Sequence, residues 1–158
     1  MGEEMGACAV LNACSSVGEA ATAARSLVSI PIVKIDETMA ETAVAHGPRV
    51  GVVATVRTTL EPTVRLIRAK AAAQRREVEI VEALADGAFQ ALLDGEAQRH
   101  DRIVSQTIES LSGRVDVIVL AQASMARLIP ALTGLDVPVL SSPQSGVEAL
   151  RAVLAQMN

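Results

Sequence analysis

A thiol, an amide and a handful of hydroxyls, set at the ends of short apolar runs, are the residues of this chain best suited to chemistry. Cys14, followed by Ser15 and Ser16, closes the run ACAVLNACSS at residues 7–16. Gln122, with Ala123 and Ser124, closes the run VDVIVLAQAS at residues 115–124. The two stretches share a plan: an aliphatic strand ending in small polar residues, a helix-like segment, then a short strand built around Pro31 in one copy and Pro138 in the other. A helix N-terminus behind Cys14 supplies N–H groups and partial positive charge, which favour the thiolate, the form that attacks carbon and accepts protons. Glutamine in the matching place can orient a carbonyl or carboxylate, but it cannot take up a carbon-bound proton. The competing reading of Cys14 is an inert buried thiol. Its strand-end position and its flanking serines favour the reactive one.

A third cluster, Ala54-Thr55-Val56-Arg57-Thr58-Thr59-Leu60, ends another strand and opens another helix. Thr58 or Thr59 serves there as a helix cap. With Thr55 the same hydroxyls and helix N-terminus can hold a carboxylate, and Arg57 can add charge. Asp36-Glu37 and Ser141-Ser142-Pro143 occupy equivalent strand ends and read as caps. His46 sits at a helix C-terminus, where an imidazole suits the dipole. His100-Asp101 reads as a helix-surface pair. No metal-ligand spacing, phosphate-binding glycine loop or Ser-His-Asp grouping is legible, so no metal and no cofactor are expected.

These groups need a scaffold. The apolar pattern predicts strands at residues 8–12, 30–35, 49–54, 77–83, 115–120 and 137–140. It predicts helices at 17–28, 37–45, 60–73, 87–93, 97–111, 125–131 and 145–156. Such alternation implies βαβ units and a parallel sheet, an α/β protein whose strand ends carry the site. Gly47-Pro48 is the sharpest break and is taken as a lobe boundary. After it come four strands; before it only two, matching the third and fourth of the later set, so the first lobe is incomplete. Gly2-Glu3-Glu4-Met5-Gly6 reads like the end of a helix with its glycine cap, an opening that favours a chain starting inside a longer one.

Composition narrows the partners. Half of the 158 residues are apolar but only Phe89 is aromatic, so the core is Val, Ile, Leu and Ala, as buried parallel strands prefer. A net charge of −4 with dispersed Lys and Arg argues against a nucleic-acid surface. No apolar run is long enough for a membrane helix. The start lacks the features of a secretory signal. Cys8 and Cys14, at opposite ends of one expected strand, lie too far apart for a disulfide. Free thiols without a signal imply the cytoplasm.

Asn12-Ala13-Cys14-Ser15-Ser16, Val52-Val53-Ala54-Thr55 with Thr58-Thr59, and Val119-Leu120-Ala121-Gln122-Ala123-Ser124-Met125, in this order, resemble the aspartate/glutamate/hydantoin racemase superfamily, with its maleate isomerase and arylmalonate decarboxylase relatives. The resemblance covers nearly the whole chain. It implies two pseudo-symmetric, flavodoxin-like parallel-sheet lobes with the active site in the cleft between them: residues 1–47 plus 143–158 as the truncated first lobe and 48–142 as the second. It also implies cofactor-independent chemistry, in which a cysteine from each lobe faces the substrate α-carbon. Cys14 matches the first of these cysteines, and Gln122 stands where the second belongs. The decarboxylase relatives use a single cysteine, at the Gln122 position.

The expected function is therefore a racemase- or isomerase-type enzyme acting on a small carboxylate through Cys14. Ser15, Ser16, Thr55, Thr58, Thr59, Gln122 and Ser124 are expected to contact that substrate. The alternatives are a carboxylate-binding protein without chemistry, an inactive truncated homologue, and a single-cysteine decarboxylase. The family's first strand, which the Cys8–Asn12 strand would adjoin in a 2-1-3-4 order, is missing. This leaves an apolar sheet edge and leads to the expectation of a homo-oligomer.

Overall fold

Six parallel strands and six α-helices alternate along the chain, in a computed structural model that describes residues 2–157. β1 (Val10–Asn12) and β2 (Ile32–Lys34) form a two-stranded sheet, with Asn12 opposite Lys34. β3 (Arg49–Ala54), β4 (Glu79–Leu84), β5 (Val117–Leu120) and β6 (Val139–Ser141) form a second sheet in the order β4-β3-β5-β6. Between them run α1 (Gly18–Ala24), α2 (Glu37–His46), α3 (Arg57–Ala73), α4 (Ala88–Leu93), α5 (Ala97–Glu109) and α6 (Ser142–Ala155). Short 3-10 segments occupy Ser15–Val17 and Ala123–Ala131. The fold is thus α/β and parallel, with a partial first sheet, as the sequence pattern leads one to expect.

The central strands explain the architecture. In β3 and β5 nearly every residue is aliphatic, and successive side chains point to opposite faces. Val50, Val52, Val117 and Val119 face Met39, Ala40, Ala43 and Val44 of α2 and Leu60, Val64, Ile67 and Ala71 of α3. Val53, Ile118 and Leu120 face Val104 and Ile108 of α5, with Met125 and Leu128 of the 3-10 segment. Burying one such Ile or Leu contributes about 1.5–3 kcal/mol. One layer on the first face comes from before the presumed boundary: α2 follows β2 in the chain but buries its apolar stripe on the four-stranded sheet. α6 in turn lies against the end of β2, where Gly146 packs on Ile35; a Cβ there would fall 2.5 Å from the Ile35 carbonyl oxygen.

Several local expectations change. Gly47 has ordinary extended backbone, with φ −178°. It is required by close approach, because a Cβ would lie 2.6 Å from that of Asp116. Asp116 needs that place, since it accepts hydrogen bonds from the backbone N–H of Arg49 (2.8 Å) and from Arg49 Nη2 (2.6 Å), fixing β3 against β5. Cys8 is exposed and precedes β1, where the first position of a strand was expected. The opening turn does have the glycine-capped form: Gly6 has φ +84°, Ala7 N–H reaches the Gly2 carbonyl and Gly6 N–H that of Glu3. That is the Schellman pattern.

Candidate active site

Three strand ends bring most of the chemically suited residues to the carboxyl edge of the two sheets. β1 ends at Asn12, and Cys14 follows in extended conformation (φ −125°, ψ 112°) with its thiol exposed. Its carbonyl accepts from Val17 N–H, starting the 3-10 turn Ser15–Val17. The regular helix begins only at Gly18 and spans seven residues. The turn behind the thiol is therefore tighter and shorter than the helix the sequence suggested.

Ser16 ties this turn to the second sheet. Its hydroxyl donates to the backbone carbonyl of Thr58 at 2.8 Å. That carbonyl is available for a reason written in the sequence: four residues on stands Pro62, which has no N–H to offer it. Sequence reasoning passed over Pro62, because a helix beginning at Leu60 would have put it harmlessly in the first turn. The helix in fact begins at Arg57, with Val56 as its N-cap and no side-chain cap bond. The expectation that Thr58 or Thr59 caps it is thereby corrected. Both lie inside the first turn, and the Thr59 hydroxyl donates back to the Val56 carbonyl at 3.0 Å.

Thr55, at the end of β3, is buried, and both its backbone N–H (2.7 Å) and its hydroxyl (2.9 Å) donate to Oε1 of Gln122 at the end of β5. The Gln122 carbonyl is committed to this bridge, which leaves the amide NH₂ as the side chain's remaining polar group. Ser124 is exposed in the 3-10 segment, and Ser15 lines a neighbouring cavity. The structure thus joins Ser16 to Thr58 and Thr55 to Gln122 directly, while Ser15, Thr59 and Ser124 stand beside these pairs.

The segment after Gln122 is held from outside by residues whose role was not foreseen. Arg127 Nη1 donates to Asp101 Oδ2 at 2.8 Å, and its Nη2 to Oδ1, so α5 clamps the 3-10 segment. His100, taken as a surface residue, is buried, with Nδ1 2.8 Å from Asp101 Oδ1. The Arg127 hydrogen bond foremost holds the Asp101 carboxyl below the ordinary carboxylate range. Asp36 and Ser141 do occupy the N-cap positions of α2 and α6, but their side chains make no cap bond. His46 closes α2 as expected. Among the described residues, no group of three or more His, Cys, Asp or Glu could hold a metal, and no helix is long and apolar enough to cross a membrane.

Comparison with known proteins agrees with this architecture. Residues 1–150 match the family description Asp/Glu/hydantoin racemase. The chain belongs to that family. Among solved structures it is similar to an allantoin racemase of Klebsiella pneumoniae (25% identity, TM-score 0.72, 98% of this chain and 62% of that one). It is also similar to a glutamate racemase of Bacillus anthracis (18%, 0.71, 96% and 59%) and to an aspartate racemase of Picrophilus torridus (13%, 0.63, 96% and 64%). The chain therefore spans about three-fifths of the length of these structures. No curated protein matches.

Proposed function

We propose that this chain is a cofactor-independent enzyme of the racemase/isomerase type that acts on a small carboxylate through the Cys14 thiolate. The observation that carries the proposal is the convergence of an exposed Cys14, the Ser16–Thr58 tether and the Thr55–Gln122 bridge at the carboxyl ends of β1, β3 and β5, where parallel α/β sheets bind ligands. In this reading Ser15, Thr58 and Ser124 offer hydroxyls to the carboxylate, Ser16 and Thr59 hold the turns through hydroxyls already donated to the Thr58 and Val56 carbonyls, Thr55 sets the position of Gln122, and the Gln122 NH₂ donates to the substrate. Cys14 is the one acid/base. A second one on the opposite face, which inversion by a two-base route needs, is missing: Gln122 stands in its place.

Alkylation and isotope exchange test this together. Both cysteines are exposed, so access alone does not separate them. Iodoacetamide labelling read by mass spectrometry should instead show Cys14, and not Cys8, protected by aspartate, glutamate or a hydantoin. In deuterated buffer the unaltered protein should exchange the substrate α-proton slowly. Gln122→Glu, which keeps the acceptor for Thr55 and adds an ionisable group, should raise the rate. Absence of ligand protection at Cys14 sinks the proposal. A second reading, a carboxylate-binding protein without chemistry, is favoured by the commitment of the Gln122 carbonyl to Thr55. Protection of Cys14 without exchange in either protein would select it.

A further inference from the structure

Away from Cys14, Thr55 and Gln122, a cavity of about 230 Å³ lies between α1, the end of β2 and α3. Its volume is roughly eight times the share of one water in the liquid. Two of its lining residues are charged and almost wholly buried: Lys34 at 5% exposure and Asp36 at 3%. Neither side chain makes a hydrogen bond or ion pair with another described residue. Asp36 Oδ1 has no hydrogen-bond partner and the side chain makes no cap bond to α2. Lys34 enters no ion pair or hydrogen bond among the described residues, with Asp36 or with any other group. Asn12, the register partner of Lys34 on β1, also buries an Oδ1 without a donor.

Unpaired ions of opposite sign, two residues apart and lining one cavity, are unusual. Removing an ion from water costs several kcal/mol unless partners replace the hydration, and buried acceptors without donors are few in native proteins. The remaining charges at the cavity already neutralise each other: Arg65 of α3 donates to Glu19 of α1 at 2.5 Å, an exposed pair that links the two helices. What is left is one positive and one negative group that do not meet. An anion would satisfy Lys34 and oppose Asp36; a cation would do the reverse. Gly18 contributes the room, because a Cβ there would lie 3.3 Å from Lys34 Nζ.

We infer that this cavity is a binding site for a small zwitterion of the amino-acid type, its carboxylate on Lys34 and its ammonium on Asp36. The site adjoins the Cys14 site, with Ser15 in its lining, but does not depend on the chemistry proposed there.

Calorimetric or NMR titration of the purified chain with glycine, β-alanine and 4-aminobutyrate tests it, with acetate and ethylamine as single-charge controls. At least one zwitterion should bind and neither control should. Lys34→Met and Asp36→Asn should each weaken binding by about tenfold or more, whereas Cys14→Ser should leave it unchanged. Lys34→Met removes an unpaired buried ion, so this variant should fold at least as stably as the parent, and urea midpoints check that. Gly18→Val, whose side chain would occupy the cavity against Lys34, should abolish binding while circular dichroism stays native. The inference is overturned if no zwitterion binds at millimolar concentration, if the controls bind equally, if both charge variants bind unchanged, or if Lys34→Met markedly destabilises the fold.

Discussion

Pro62 shows how one residue can place another through the hydrogen bond it fails to make. By leaving the Thr58 carbonyl free it lets Ser16 anchor the Cys14 turn on α3. Pro62→Ala should restore the helical N–H, which competes for that carbonyl. Removing an interior proline should also stabilise α3 by up to about 3 kcal/mol. We therefore expect the thermal midpoint to rise while ligand protection of Cys14 falls; the two moving in the same direction would refute the tether. Gln122 is the complementary case. Gln122→Ala strips both donors of buried Thr55 of their acceptor, and each orphaned polar group costs on the order of 1–3 kcal/mol. A urea midpoint unchanged from the parent would show that this bridge holds nothing.

At the scale of elements, three helices meet at Glu37, in the first turn of α2. It accepts from Arg25 Nη2 (2.6 Å), just past α1, and from Lys70 of α3 (3.3 Å). Burial pulls its carboxyl upward, but Arg25 and Lys70 outweigh this and hold it below the ordinary value of 4.5. A carboxyl depressed in the folded state contributes stability above its unfolded value and loses it as pH falls through the folded one. Stability should therefore decline below about pH 4.5, with Asp101 and Asp116, also depressed, adding to the slope. Glu37→Gln should flatten that decline and cost about 1–3 kcal/mol at neutral pH, read from urea midpoints across the pH range. How much of this was legible follows from the residues. β3 could be bounded from sequence because Pro48 precedes it and unbroken aliphatics fill it. Residues 125–131 were legible as helical but not as part of a 3-10 segment that starts at Ala123, because apolar periodicity over so few residues does not separate the two helices. At the site, the strand-end positions of Cys14, Thr55 and Gln122 were legible. The Ser16–Thr58 and Thr55–Gln122 bonds were not, since each joins residues more than 40 apart and local pattern carries no such information. The Lys34–Asp36 cavity escaped for the same reason: strand residues of the wrong polarity reveal themselves only when burial is known.

For the whole molecule, the two sheets differ in completeness. Among the described residues β1 pairs only with β2, and Val10 and Val17 are exposed beside it. A two-stranded parallel sheet buries little, and an unpaired strand edge recruits other strands. We expect sedimentation at micromolar concentration to give a dimer or larger species; a cooperative monomer would mean that α1 and α6 close this sheet unaided. α6 also has a consequence for synthesis. Domains ordinarily fold from the N-terminus as they leave the ribosome. Here the helix that packs on Ile35, at the end of β2, is made only after β6, so β1 and β2 must wait, uncovered on that side, through translation of the entire four-stranded sheet. Nascent chains arrested before Ser142 should stay sensitive to protease around residues 26–31 even where the four-stranded sheet already resists it, and should gain protection there only when α6 emerges.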